Sequence, residues 1–291
     1  MLNYENGELK DMDNPVELMS LFWTTCGEFG GLDVVSRFDF RERVEAAARA
    51  GFKGIGLWHT DLEHLTRKQS LKEMKSIMDD NDIRYLELEF LTDWFMDGAL
   101  KAQSDRRKRM LLEASAALQA KHVKIGDFDQ RACPMPRIIE AFAALCREAQ
   151  DYGATIGFEL MGCAMIDNLK DAVTLVESAG AANGGLILDI VQAVNLPISY
   201  EAISRIPRQY LIGVELNDGT LPGSPAHDPS RTRRWCGEGE YDIKRFIRAA
   251  RMAGFAGPWA VEVMSQELAV LPLDELNRLA FETTMAQFED C

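Results

Sequence analysis

Several protein classes are excluded by what this chain lacks. Its six cysteines (Cys26, Cys133, Cys146, Cys163, Cys236, Cys291) are scattered, with no C-x-x-C pair and no dense framework. That suits a reducing cytoplasm better than a disulfide scaffold. The opening M-L-N-Y-E-N-G-E-L-K has neither the basic start nor the apolar core of a signal peptide. No uninterrupted apolar run of about 18 residues occurs, so no membrane span is expected. Basic residues are outnumbered, 32 Lys+Arg against 46 Asp+Glu, for a formal charge of −14. A partner recognised through a phosphate backbone needs a basic surface, so nucleic acid is not expected. A small anion in a local basic pocket remains compatible. Only four histidines are present, too few for a histidine-rich, several-metal endonuclease centre. No repeat, low-complexity tract or linker divides the chain.

What is present is 291 residues of ordinary soluble composition, 47% hydrophobic and 27% charged, enough for a large core. After a polar lead-in (1–16), short apolar runs alternate with helical periodicity to the C-terminus. Strands are expected at 17–24, 53–58, 84–91, 122–128, 155–161, 185–190, 211–217 and 259–264. Helices are expected at 36–50, 67–80, 104–119, 135–152, 168–179, 199–205, 242–253 and 273–288. Eight strand–helix units predict a parallel sheet with right-handed crossovers. They most economically close into a single (β/α)₈ TIM barrel over 17–291. The rival, an open doubly wound sheet, lacks a G-x-G-x-x-G turn after its first strand. The loop 218–241 is too long for a plain connection, and loops of that size are usually functional.

Four of these strands share a design. In T-I-G-F-E-L-M-G (155–162) Ile156, Phe158 and Leu160 alternate with Thr155, Gly157 and Glu159, so the acid faces away from the apolar partners. Asp189, Glu215 and Glu262 repeat the pattern against Leu186/Leu188/Ile190, Ile212/Val214/Leu216 and Trp259/Val261/Val263. All four acids fall late in their strands, where a barrel places its active site. Crowded carboxylates do not all ionise without a cation, and buried acids are rare unless paired or metal-bound. The four acids are therefore read as converging on one divalent ion. All-oxygen ligation favours a hard ion: Mn²⁺ is expected, with Mg²⁺ or Co²⁺ as alternatives. Pairing of individual acids with arginine or lysine is the competing explanation.

F-E on strand five, L-D-x-x-x on strand six, V-x-L-x-D on strand seven, G-x-G-x-x-D (237–242) before the next helix and E-V on strand eight resemble the xylose isomerase-like TIM-barrel superfamily. The likeness is nearest to its sugar phosphate isomerase/epimerase group, with ketose 3-epimerase and inosose dehydratase relatives. It implies a metal held by Glu159, Asp189, the strand-seven residue and Glu262, with Glu159 and Glu262 doubling as acid–base groups. Two positions depart from the pattern. The frequent strand-seven histidine is Glu215 here, and the substrate-touching histidine of D-x-x-H is Gln192, a candidate substrate contact that hydrogen-bonds but does not titrate.

Around the mouth, Lys124 shares the inward phase of its strand with His122. It either polarises a substrate oxygen, balances the acidic site, or pairs structurally with Glu89. Trp23, Trp58 and His59 fall at strand ends. The tryptophans suit a sugar face or belong to the core, and His59 is a candidate substrate contact or proton carrier. Arg231, Arg233 and Arg234, beside His227, either clamp a phosphate or carboxylate or form a solvated basic tuft. Asp242 is expected to cap a helix, and Cys163 lacks a basic partner that would make it a nucleophile.

The expected activity is a divalent-metal-dependent isomerase or epimerase of a sugar or keto-sugar, phosphorylated or not, through a metal-held enediolate. A dehydratase or lyase acting on a keto-inositol or 3-keto-glycoside is the alternative, and a non-catalytic sugar-binding barrel ranks below both. A cytoplasmic homo-oligomer acting on a small molecule completes the expectation.

Overall fold

The computed structural model describes residues 4–5, 8–9, 15–29, 31–289 and 291. Tyr4–Glu5 and Glu8–Leu9 pair as a small antiparallel hairpin. Most of the expected lead-in otherwise lies outside the described residues. Eight parallel strands close into a barrel in sequence order. They are β1 (Leu18–Ser20), β2 (Gly54–Trp58), β3 (Tyr85–Leu91), β4 (His122–Ile125), β5 (Ile156–Glu159), β6 (Gly184–Asp189), β7 (Leu211–Leu216) and β8 (Trp259–Val261). The helices are α1 (Phe22–Thr25), α2 (Phe40–Ala50), α3 (His59–Thr66), α4 (Leu71–Asp80), α5 (Gly98–Leu118), α6 (Met135–Gln150), α7 (Leu169–Ala179), α8 (Ile190–Asn195), α9 (Tyr200–Ile203), α10 (Ile243–Met252) and α11 (Leu273–Met285). Each of the eight strand–helix units is present. No helix among the described residues is long and apolar enough to cross a membrane.

The corrections are local. The first strand ends at Ser20 rather than 24, because Phe22–Thr25 coils into α1. Thr24 Oγ1 donates to Val261 O at 2.7 Å and accepts from Val263 N–H at 2.9 Å, so a side chain replaces the ladder there. The helix expected at 67–80 begins at Leu71, fixed by a Ser70–Glu73 capping box, and α3 grows straight off β2. The short helix expected near 199–205 is α9, and a further short helix, α8, not expected, leaves β6 directly and is separated from α9 by a segment containing Pro197. Asp242 caps α10 as expected, accepting from Arg245 N–H.

Outward strand residues such as Leu57, Leu88, Val123, Phe158 and Leu188 pack against the helices in one continuous core. Each fully buried Leu or Phe there contributes about 1.5–3 kcal/mol. Inside the barrel, Met19, Leu21 and Ala260, with Tyr85 against them, close the floor. Strand β7 carries a register shift at Ile212, since Leu186 pairs with Leu211 but Ile187 with Gly213. That bulge turns Ile212 against the backbone of Gly185, so Ile212 does not join Val214 and Leu216 in the outer core. A Cβ on Gly157 would overlap Ile187; the missing side chain lets Ile187 fill the centre beneath the acids. Above this apolar floor the interior becomes charged.

Candidate active site

Strand register builds the site. Trp58 pairs with Glu89, Glu89 with Lys124, Lys124 with Gly157, and Asp189 with Glu215. Alternation then sends Glu87, Glu89, Lys124, Glu159, Asp189 and Glu215 into one volume, which Glu262 enters just beyond β8. All are buried, and Lys124 is 1% exposed. Its ammonium lies 2.8 Å from Glu215 Oε1, 2.9 Å from Glu89 Oε2, 3.0 Å from Glu87 Oε1 and 3.1 Å from Glu262 Oε1. Glu159 Oε2 stands further off, at 3.9 Å. The expected Glu89–Lys124 pair therefore exists as one arm of a larger cluster. Lys124 donates to Glu215 and Glu262 and holds Glu87 and Glu89 by charge, the angles to these two being poorer.

Below this layer His122 joins Glu87 through Nε2. Lys121 approaches His122 Nδ1 at 3.3 Å, so Nδ1 is the acceptor and Nε2–H donates to Glu87. Burial pushes the His122 pKa down.

Arg233 enters from the long loop. Its Nη1 donates to Asp189 Oδ2 at 3.0 Å, Glu262 Oε2 at 2.8 Å and Glu262 O at 2.9 Å, while Nε donates to Pro229 O at 2.8 Å. Backbone bridges Asp218–Arg234 and Thr232–Ser265 run the loop beside the end of β8. Buried Asp218 pins its two ends, accepting from Gly219 and Tyr241 N–H through Oδ1 and from Gly237 N–H through Oδ2. A side chain on Gly239 would collide with Asp218, which explains the second glycine of the G-x-G segment.

The charges separate the carboxylates into two groups. Burial raises every one of them, but at Glu87 Lys124 and His122 outweigh it and the pKa falls to about 2. Glu262 is also held low, burial being overcome by Lys124 and Arg233. Burial prevails elsewhere: Glu89 rises to about 8, Asp189 to about 6, and Glu159 and Glu215 well above the usual carboxylate range. Lys124 is held firmly protonated, burial being outweighed by Glu215 and Glu262. Two buried cations leave this acidic set short of positive charge.

Glu159, Asp189 and Glu215 each offer an oxygen within 4.8 Å of the others. Among the described residues Glu215 Oε2 has no hydrogen-bond partner. An unpaired buried carboxylate oxygen beside two more acids fits a hard divalent ion. Asp189 contributes while capping α8 through Oδ1, which accepts from Val191 N–H at 3.1 Å and Asn217 Nδ2–H at 2.6 Å. Glu262, expected as a fourth ligand, is taken up by Lys124 and Arg233 and stands outside the triad in this arrangement.

The other expected contacts divide. Trp23 joins Trp58, Phe22, Phe90 and Met161 in an apolar cluster with Phe128 packed against it. Trp23 and Trp58 meet edge-on at 5.1 Å, and Phe90 and Phe128 stack at 4.8 Å. His59 is buried, with Nδ1 near Phe90 N–H at 3.4 Å, and burial with nearby Arg107 lowers its pKa to about 3. It is a neutral ring rather than a proton carrier near neutral pH. Gln192 Oε1 accepts from Gly162 N–H at 3.1 Å, tying the loop after β5. Arg231 is exposed and lies over Phe29, while Arg234 is exposed and contributes backbone to the Asp218 bridge. Of the arginine trio, Arg233 alone reaches the acids. Tertiary contacts at Asp218 and Ser265, not a periodic signal along the loop, single it out. The aromatic residues Phe22, Phe90 and Phe128 and the loop-bracing Asp127, which accepts from Asp129 and Met165 N–H, were not anticipated. Their roles depend on which loops meet.

A family model described as xylose isomerase-like TIM barrel matches residues 44–282. The 3-dehydroshikimate dehydratase of Pseudomonas aeruginosa is 24% identical over 242 residues, 79% of this chain but 37% of that protein. The inosose isomerase of Bacillus velezensis is 25% identical over 151 residues, covering 50% of this chain and 53% of the relative. The chain thus spans between about a third and a half of the length of these curated relatives. A crystal structure of IOLI protein with a binding zinc atom superposes with a TM-score of 0.80 at 19% identity, over 94% of this chain and 98% of the other.

Proposed function

This chain belongs to the xylose isomerase-like TIM-barrel family, and on that premise we propose that it is a divalent-metal-dependent enzyme that isomerises or epimerises a sugar or keto-sugar. The observation that carries the reading is the buried Glu159–Asp189–Glu215 triad with an unpartnered Glu215 oxygen pointing at no protein donor. The inosose isomerase relative supports the substrate class, and the zinc of the similar barrel supports the metal. Hardness of the oxygen donors favours Mn²⁺.

Glu159, Asp189 and Glu215 would hold the ion, with Glu262 adjoining. When bound, the ion supplies Lewis acidity that polarises a carbonyl and acidifies the adjacent C–H. Glu159 on β5 and Glu262 beyond β8 face the same volume, so one takes the proton at a carboxylate oxygen and the other returns one. Lys124 and Arg233 fix the two oxygens of Glu262 separately, which orients that carboxylate without spending substrate binding energy. Trp23, Trp58, Phe90 and Phe128 form an apolar cluster at and just beyond the C-terminal ends of their strands, a surface suited to ring faces and to excluding water.

A second reading, expulsion of a β-hydroxyl, has its own support. Gln192 stands where a histidine is frequent and cannot shuttle a proton, and the P. aeruginosa relative is a dehydratase. Protein stripped of metal and refilled with Mn²⁺ should exchange solvent deuterium into ketoses or keto-sugars. Unchanged product mass marks isomerisation, and a loss of about 18 mass units marks dehydration. No metal uptake and no exchange across a broad panel would overturn both.

A further inference from the structure

Lys124 is arranged less like a partner in an ion pair than like an ion in a coordination shell. Four carboxylate oxygens, from Glu87 and Glu89 on β3, Glu215 on β7 and Glu262 beyond β8, stand 2.8–3.1 Å from its nitrogen. An ammonium has three protons, so four oxygens at that range exceed what it can bond directionally. What gathers them is its charge. The stem crosses the interior from β4, opposite the side-chain gap at Gly157, and delivers a compact cation where no solvent reaches.

Glu215 connects this cluster to the triad. Its Oε1 accepts from Lys124, its Oε2 has no hydrogen-bond partner among the described residues, and its carboxylate belongs to the three-acid group with Glu159 and Asp189. A carboxylate that offers one oxygen to each of two cations is the geometry of a bridging ligand, as in sites where two metal ions sit about 3.5–4 Å apart. Removal of the ammonium would leave Glu87, Glu89, Glu215 and Glu262 buried together without their shared counter-ion. Such a set must protonate or recruit another cation.

We propose that the Lys124 ammonium permanently occupies a second cation site in the barrel interior, bridged by Glu215 to the triad, and thereby limits the enzyme to at most one divalent ion. Lys124 is on this view a positioning residue whose charge replaces a metal. The inference concerns the site of the proposed enzyme, but its readout does not depend on turnover.

The test counts bound Mn²⁺ per chain by elemental analysis and calorimetric titration for the parent, Lys124→Ala and Lys124→Arg proteins. Lys124→Ala should bind one equivalent more than the parent, and Lys124→Arg, which keeps a charge, should not. If the parent binds one ion, the added ion should give the electron paramagnetic resonance signature of a coupled Mn²⁺ pair bridged through Glu215. A parent with no ion and a Lys124→Ala variant with one would uphold this inference while sinking the metal reading above. One ion in both would sink the inference and leave that reading standing. If Lys124→Ala is unfolded without metal, excess Mn²⁺ should restore its circular dichroism, and failure to do so overturns the proposal. Two interior ions in the parent would overturn it as well.

Discussion

Glu87 and Glu159 are the same residue type, equally buried and on the same inward phase, yet they sit in opposite electrostatic states. Glu87, on β3, has Lys124 at 3.0 Å and His122 on its other oxygen, and its pKa falls to about 2. Glu159, on β5, has Lys124 only at 3.9 Å, and burial, with Glu262 and Asp189 repelling it, pushes its pKa well up. On the β3–β4 side Lys124 and His122 together outweigh burial at Glu87, though not at its neighbour Glu89. On the β5–β7 side burial prevails at all three acids of the three-acid group. Between these two acids, a difference of about 1 Å in the reach of one ammonium, with the His122 ring beside Glu87 alone, separates a paired carboxylate from a candidate metal ligand.

The strongest way to break this contrast is kinetic. Glu159→Gln should abolish metal retention and lower turnover of a responsive keto-sugar by roughly 10²–10⁴-fold, measured by deuterium exchange. Glu87→Gln, assayed where it remains folded, should keep metal binding. Equal losses in both would erase the distinction.

Stability should reverse the order. In metal-free protein Glu87→Gln breaks a buried, paired charge and should cost about 3–5 kcal/mol in urea unfolding. Glu159→Gln removes an underpaired carboxylate and should be neutral or stabilising. A smaller effect follows from linkage: Mn²⁺ at about 100 times its Kd should stabilise the parent by about 2.7 kcal/mol and leave Glu159→Gln unmoved. Thermal melts with and without chelator measure the difference.

The smallest effect lies at the mouth. His59 titrates near 3 when folded against 6.5 as the ordinary value. Between those values the unfolded chain binds the extra proton, so stability is lost as pH falls through 6.5 toward 3, by up to about 1.4 kcal/mol per unit. Comparing parent with His59→Asn should therefore show the parent losing about 1.6 kcal/mol more from pH 6.5 to pH 5. Parallel pH profiles would place the ring in a less buried, readily protonated setting.

The fold was legible because a strand's alternation is local. The phase of Phe158 against Glu159, or Leu188 against Asp189, follows from backbone geometry alone, and eight such runs separated by helices leave few topologies. The same reasoning misplaced Ile212, since a bulge adds one residue and flips the phase. It also overran β1, where Thr24 substitutes its hydroxyl for the ladder. In the long loop no such period reaches across the whole stretch, so the trio Arg231, Arg233 and Arg234 read as one cluster. The Asp218 clamp and the bridge to Ser265 select Arg233 from among them.

Sequence alone determined that carboxylates from four successive strands would face the interior near their C-terminal ends, because side-chain direction repeats every two residues. Tertiary structure decided which of those carboxylates are satisfied and which are left for a cation. That outcome depends on where Lys124 and Arg233 end, and electrostatic energy in a buried site changes steeply over distances that no pattern of residues along the chain records.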